Sequence, residues 1–540
     1  MEYKEYMNLI RQKLSIMSEE EKNQWIYHYA RVRSKNKRED MLDSLNFHRS
    51  IPVDFNQDIF NEFIESVKNE ELEIPATEEE YGYGYDSDYE TYYMRDCELL
   101  NQLNGYIQYA FMCANACYYK QAFAIFKQLQ SLTYFAILDY GDYIEMDFYE
   151  LFKNNLIDVT IEQYSLYYLY VVVQMHLEIP ETFSYFKNSR IQYVFSDLMA
   201  FGPEEILLTD NEYQNWIAFL KNETGHLAES LLKDICLLYG DITQLTKMAL
   251  QIGIKHPMLY LDVIRYHLSH LQRDEARQIA TNAFEQLDKT LIIRSTIANT
   301  LIPYFKNEKE LYEIAFLSNP QVEYCLRLYS LDCDIPQIKT TFQKIDYCDM
   351  KSVQDEELKS VSLSSVQKQI LLFLLGDYKD IICQYTKDAS NHEWSSNLKG
   401  TIISLLLMYL KPEKKYYVAD DEILKDLSQN FEMDKYKFYE YFHIWKEKYA
   451  MDNEFKRWCI QWLKQEIDQN AQSIVGETYR YLYYTVAKQI VVLAEILQFY
   501  EDIDSIETFL QSYIKKYSRK YAFKAEVFKY SKQKSINKNT

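Results

Sequence analysis

The sequence predicts an all-α protein, an α-solenoid of stacked antiparallel helix pairs with irregular helical ends, and three observations predict it. Glycine and proline number only 11 and 9 in 540 residues, about a third of the usual roughly 7% and 5%, and sheets and long loops depend on those residues for their turns. Apolar residues recur every three or four positions over most of the chain, which is the spacing of one helix face. A large residue followed by a small one returns at intervals close to those of a helix-pair repeat. A chain of 540 residues also exceeds what one compact core serves, so several domains or an elongated array are expected.

Residues 1–70 read as an opening helical segment. Tyr6, Ile10, Leu14 and Met17 share a face, and Ser18 with Glu21 makes a capping box for a second helix. That helix runs into Arg31, Arg33, Lys35, Lys37 and Arg38. Basic residues at a helix C-terminus are favoured by the macrodipole, and the same five offer a local contact for phosphate. Residues 71–96 change composition, with nine acids against one base, Gly82 and Gly84, and the tyrosines Tyr81, Tyr83, Tyr85, Tyr89, Tyr92 and Tyr93. Such a tract buries too little apolar surface to offset its ordering entropy, so a linker or mobile loop is expected. The alternative is an acidic, aromatic docking segment that feeds a basic groove.

Helix pairs are expected from residue 97 to 410. Tyr106, Ala110, Tyr119, Ala122 and Phe126 stand at spacings that resemble the tetratricopeptide repeat. The resemblance implies pairs in which small residues let two helices approach closely and large ones fill the groove to the next pair. The pattern returns at Tyr260, Ala276, Ala280 and Ala283, with Pro257 just ahead. Leu245 and Leu311, the equivalents of Ala276 in adjoining units, lie 31 residues before and 35 after it, bracketing the roughly 34 of that repeat. Ile338 with Phe342 is a degenerate candidate, and Gly376, Asp377 and Tyr378 resemble the family's inter-helix turn.

The charged stretch from Lys411 to Glu440, with Pro412, marks the start of a C-terminal helical domain, residues 411–540. Glu477–Tyr500 is expected to be one uninterrupted amphipathic helix with Tyr484, Ala487, Val491, Leu493, Ile496 and Leu497 on its apolar side, and a second helix near Ile506–Tyr517 pairs back on it. This closing pair is similar to the last helix pair of bacterial helical-repeat regions that accompany SWIM-type zinc fingers. The Cys-x-Cys and Cys-x-His of that finger do not occur in the chain, so the resemblance implies no zinc function.

A formal charge of −22 excludes a body that grips nucleic acid or an anionic membrane over its whole surface, and leaves only local contacts. Nine cysteines without paired spacing read as thiols of a reducing compartment. Met1–Ile10, with Glu2, Lys4 and Glu5, lacks the apolar core of a secretion signal, so a cytoplasmic protein is expected. Tyr164–Leu177 and Thr401–Leu410 fall short of the roughly 20 residues of a membrane span and read as buried helices, so no membrane is expected as a partner. The 51 tyrosines, beside abundant Lys, Ile and Asn, fit an AT-rich bacterial coding sequence better than a tyrosine-based function.

No catalytic residue, metal site or cofactor is expected. His267 and His270 stand one turn apart with His256 nearby, but Cys-x-x-Cys and His-Glu-x-x-His do not occur. Gly82 and Gly84 have acidic neighbours that repel phosphate, and Gly-x-Ser-x-Gly is missing from the sequence. Cys113 and Cys117 read as small inward hydrophobes, and Asp420 with Asp421 as solvated or helix-capping acids. The expected function is a non-enzymatic bacterial scaffold or adaptor that presents a concave surface to another protein or a peptide. First-helix residues Asn115, Arg265, His267 and Gln369 are the nominated contacts. The alternative is a regulatory or defence-associated component contacting nucleic acid through Arg31–Arg38 and the tail, where Lys515, Lys516, Arg519 and Lys520 alternate with Tyr517, Tyr521, Phe523, Phe528 and Tyr530. The leading reading of that tail by itself is a basic, frayed helix end, followed by the nucleic-acid contact and then a docking helix for an acidic partner.

Overall fold

The structure, a computed structural model, describes residues 3–34, 37, 55–81, 89–138, 141–204, 206, 208–305, 308–347, 361–385, 398–413 and 416–533. Helices dominate these residues, as the spacing of apolar positions predicts, and successive helices pack as antiparallel pairs in the manner of a solenoid. The chain divides into two compact units, Met1–Leu259 and Tyr260–Thr540. The division falls inside the helix Met258–Ser269 rather than at any change in composition.

In the first unit, the helices Tyr3–Ile16 and Glu19–Arg31 meet at the expected capping box. The Ser18 hydroxyl accepts from the Glu21 N–H at 3.3 Å, and the Glu21 carboxylate accepts from the Ser18 N–H at 2.8 Å. Glu19–Arg31 buries none of its residues, whereas Gln57–Lys68 buries Phe60, Phe63, Ile64 and Val67.

The unit also holds a four-stranded sheet that the sequence did not predict. Strands β1 (Ile74–Tyr81), β2 (Tyr89–Met94), β3 (Tyr134–Leu138) and β4 (Tyr143–Met146) lie in the order β2-β1-β3-β4. β1 runs antiparallel to β2, from Ala76 opposite Met94 to Tyr81 opposite Tyr89, and parallel to β3, while β3 and β4 form an antiparallel pair. The expected linker at 71–96 is therefore corrected: most of it is strand, and residues 82–88, with Gly82, Tyr83, Gly84 and Tyr85, lie outside the described residues. Its acid count signalled disorder, but composition is blind to a partner. Ile74 and Ala76 are buried beside β3, and tyrosine and threonine suit a pleated strand.

The parallel crossover from β1 to β3 contains a packed helix pair, Glu98–Asn115 and Tyr119–Gln130. Ala110, Ala122 and Phe126 are buried in it as expected, and Tyr106 packs on Phe60 and Phe63. Tyr164–Leu177 holds the predicted buried helix, Ile161–Gln174, which buries Tyr164 and Tyr168 through Val173.

Met258–Ser269, whose first two residues belong to the first unit, leads into Arg273–Gln286 of the second; Tyr260, Ala276, Ala280 and Ala283 are buried, and the Tyr260 hydroxyl donates to Asn282 Oδ1 at 2.8 Å. Ile292–Leu301 with Lys309–Ser318 continues the alternation; Val322–Ser330 then packs chiefly on the more distant helix Lys435–Lys448, and Leu311, Ile338 and Phe342 are buried. Ser365–Leu374 turns into Tyr378–Tyr385 through Gly376 at φ +97, the turn its sequence announced.

Around the helix Tyr483–Phe499 are packed Leu398–Leu410, Val418–Asn430, Asn453–Asn470, Ile506–Lys516 and Tyr521–Tyr530. The expectation of one amphipathic helix over Glu477–Tyr500 is corrected here. Asn453–Asn470 passes through a π-helical turn, Ala471–Gly476, and a 3₁₀ turn, Arg480–Leu482, before Tyr483–Phe499 begins. That helix is buried all round, polar Lys488, Gln489 and Glu495 included, because every face meets another helix, and only Tyr484 of the expected apolar side is exposed. Arg480–Phe499 is long and apolar enough to cross a membrane by length and composition, and 78% of its most apolar 18-residue stretch is buried.

Candidate functional site

The four nominated repeat residues lie on three helices. Asn115 ends Glu98–Asn115 in the first unit, is exposed, and donates to the Tyr167 hydroxyl at 3.1 Å. In the second unit, Arg265 is exposed and His267, two residues on, is half-buried with its Nδ1 2.7 Å from Gln272 Oε1; two residues apart, they leave the helix on different sides. Gln369 is half-buried on Ser365–Leu374.

At the end of Glu19–Arg31, Arg31 stands 3.4 Å from His28 Nδ1 and Arg33 lies over the Tyr29 ring at 3.9 Å, with Tyr29 stacked on Trp25 at 5.3 Å. Residues 25, 29 and 33 thus form one ladder at helical spacing. Lys37 is exposed, and Lys35 and Arg38 lie outside the described residues.

The basic tail is more than a frayed end. Lys515 and Lys516 complete Ile506–Lys516 and are exposed, as is Arg519. From Lys520 the chain enters the helix Tyr521–Tyr530, whose inner stripe of Phe523, Val527 and Tyr530 is buried against Tyr483–Phe499. Phe523 packs between Tyr483 and Tyr517, with ring centroids 5.9 and 5.7 Å away. Beyond it, Val418 N–H donates to Lys532 O at 3.0 Å, so the segment is fastened at both ends. Its outer stripe is Tyr521, 79% exposed, then Lys524 with its ammonium 5.2 Å from the Tyr521 ring, then Phe528, 54% exposed.

A second segment joins this face that the sequence reading missed. Thr478, at φ +75, starts a tight turn carrying Tyr479, Arg480 and Tyr481, and the Lys520 ammonium donates to the Thr478 hydroxyl. Tyr481 is 73% exposed. The string Tyr-Arg-Tyr beside Gly476 is the signal that pointed to it, hidden by the expectation of a continuous helix there. Residues 477–484 and 515–530 together hold seven basic residues against two acids, in a chain of net charge −22. The face is aromatic and basic, and its rings stand in water.

Beneath it, the core carries buried charge. Lys411 lies between Asp420, at 3.3 Å, and Glu495, at 3.4 Å, all three nearly inaccessible. Asp420 also accepts from the Tyr417 N–H at 2.6 Å, so it is a capping acid and a buried one, not a solvated one. Burial raises the Asp420 carboxyl above its ordinary range, with Lys411 opposing. Lys446 donates to Lys411 O at 2.7 Å, and Lys488 pairs with Asp426. Asp421 is held by Lys435 at 3.1 Å and by the Tyr439 hydroxyl at 2.9 Å.

Two cavities in the second unit are lined by cations already paired within the chain. One of about 420 Å³ is crossed by Lys448, which donates to Tyr329 O at 2.7 Å and Asp332 at 2.5 Å. Another, of about 280 Å³, is lined by Arg294, donating to Phe284 O and Leu287 O at 2.7 and 2.6 Å, and by Arg277, paired with Glu308 at 2.7 Å. Burial pushes the Cys113 thiol up to about 11 and those of Cys236 and Cys459 to about 12, which keeps them protonated and unreactive. Among the described residues, no group of three or more His, Cys, Asp or Glu is gathered to hold a metal ion.

Fold and surface together define a class: an all-α protein of stacked helix pairs, with an added sheet and exposed aromatic–basic surfaces. No protein-family model matches the sequence, and neither a curated protein nor a solved structure matches it.

Proposed function

We propose that the chain is a non-enzymatic, tetratricopeptide-like scaffold or adaptor of a bacterial cytoplasm that docks another protein. One observation carries this reading. The helix Glu19–Arg31 buries none of its residues, yet presents Trp25, Tyr29 and Val32 along one side at 52%, 37% and 63% exposure. Tyr6 and Leu14 of the preceding helix are exposed as well. Burying apolar and aromatic side chains of this size is worth about 1.5–3 kcal/mol each, so an uncovered row of them fits a surface completed by a partner. The row ends in Arg31, Arg33 and Lys37, which suits an acidic amphipathic helix as the docked element.

Photo-cross-linking from a benzophenone side chain placed at position 25 or 29, with the exposed position 285 as control, tests it. A single protein species captured from 25 and 29 and not from 285, and lost when Arg31 and Arg33 are replaced by Glu, is the expected result. Equal capture from all three positions removes the reading.

A further inference from the structure

We propose that the face made by the turn Thr478–Leu482 and the outer stripe of the helix Tyr521–Tyr530 binds single-stranded nucleic acid. It is a separate surface from the docking helices at the start of the chain and rests on different residues. Three features of the face select this ligand.

The first is charge. Arg480, Lys515, Lys516, Arg519, Lys520, Lys524 and Lys529 stand against Glu477 and Glu526, and Glu526 lies 3.4 Å from Lys529. In a chain of −22 such a concentration acts over about a Debye length and marks where an anion is drawn in.

The second is the set of rings. Tyr479, Tyr481, Tyr521 and Phe528 are 47%, 73%, 79% and 54% exposed, which no need of the fold explains, since the same helix buries Phe523, Val527 and Tyr530. A purely acidic peptide without apolar side chains would satisfy the cations and leave the rings in water. Unstacked bases satisfy both, because each base offers a π-face to a ring while its phosphate meets a Lys or Arg. Tyr479 and Tyr481 are 6.5 Å apart and tilted by 87°, so they receive two separate bases rather than a continuous stack. A duplex hides its base faces and uses only the charge.

The third is rigidity. The Lys520–Thr478 hydrogen bond ties the two segments together, and Phe523, wedged against Tyr483 and Tyr517, fixes the helix beneath its outer stripe. The rings and cations are therefore held in place before the ligand arrives, which lowers the ordering entropy lost on binding.

Fluorescence anisotropy on the full chain tests the proposal, with labelled oligo(dT) and oligo(rU) about 12 nucleotides long, a duplex of the same length, and polyglutamate. The single strands are expected to bind about tenfold tighter than the duplex, with polyglutamate a poor competitor. The Tyr481→Ala/Tyr521→Ala variant is expected to lose about tenfold or more in affinity, while Tyr481→Phe/Tyr521→Phe keeps it because the rings remain. Replacing Lys515, Lys516 and Arg519 by Gln is expected to lower the slope of log affinity against log salt by about two. Trp25→Ala/Tyr29→Ala leaves oligonucleotide binding unchanged, which separates this surface from the docking helix. Circular dichroism confirms that each variant is folded. No single-strand binding at about 50 mM salt, equal affinity for duplex, displacement by polyglutamate at equal charge, or full affinity in the Tyr481→Ala/Tyr521→Ala variant would each overturn the proposal.

Discussion

Lys411 is a cation taken out of water, and its position between Asp420 and Glu495 is what keeps two carboxylates tolerable in the core of the second unit. Removing one member of a buried ion group leaves the others uncompensated, at a cost of about 3–5 kcal/mol. Lys411→Met is accordingly expected to destabilise by that amount in urea unfolding, and the triple variant Lys411→Met/Asp420→Asn/Glu495→Gln to recover most of it. Asp234, in the first unit, makes the opposite case. It accepts from the Ser196 N–H at 2.8 Å, yet burial pushes its carboxyl up to about 6. The folded state therefore holds a proton between roughly pH 4 and 6 that the unfolded chain has released, so this group's contribution to stability falls as pH rises through that window. Asp234→Asn removes the penalty. Its stability relative to the parent is expected to be greatest near pH 7, by about 3 kcal/mol, and to vanish near pH 4. A constant difference across that range in denaturant titrations would contradict this.

Two turns show how an element's ends depend on what surrounds them. Gly376 and Gly202 both adopt positive φ, at +97° and +83°. Beside Gly376 a Cβ meets nothing within 4 Å, so Gly376→Ala is expected to cost only the backbone penalty, about 1 kcal/mol. At Gly202 a Cβ would fall inside the ring of Tyr170, whose hydroxyl accepts from Glu204 N–H at 3.1 Å and donates to Glu204 O at 2.9 Å. Gly202→Ala is therefore expected to cost roughly 3 kcal/mol or more, as overpacking adds to strain; thermal unfolding of the two variants side by side separates them. The Gly376 turn was legible in the sequence because Gly-Asp after an apolar helix is a local signal. The Gly202 contact was not, because Tyr170 reaches it from 32 residues away. The same distinction holds at the candidate site. Lys515, Lys516, Arg519 and Lys520 announced themselves as a basic run, whereas Tyr479–Tyr481 joined them only through the Lys520–Thr478 bond.

At the scale of the molecule, the chain divides into two compact units, with the division inside the helix Met258–Ser269. Urea unfolding followed by both circular dichroism and tyrosine fluorescence is expected to show two transitions. Lys411→Met should move only the one belonging to the second unit and Asp234→Asn only the other; a single transition shifted by both would argue that the units unfold as one. The sequence by itself determined that helices dominate, that they pack as pairs, where their small residues lie and where positive charge collects, because helical period, close approach and charge runs are local properties. Tertiary structure decided the rest. It made strands of the acidic tract by giving β1 a partner in β3, turned an expected amphipathic helix into a core helix by surrounding it, buried Asp420, and set two stretches of aromatic and basic residues side by side. Each of these depends on which distant residue supplies the neighbour, and periodicity along the chain carries no record of that.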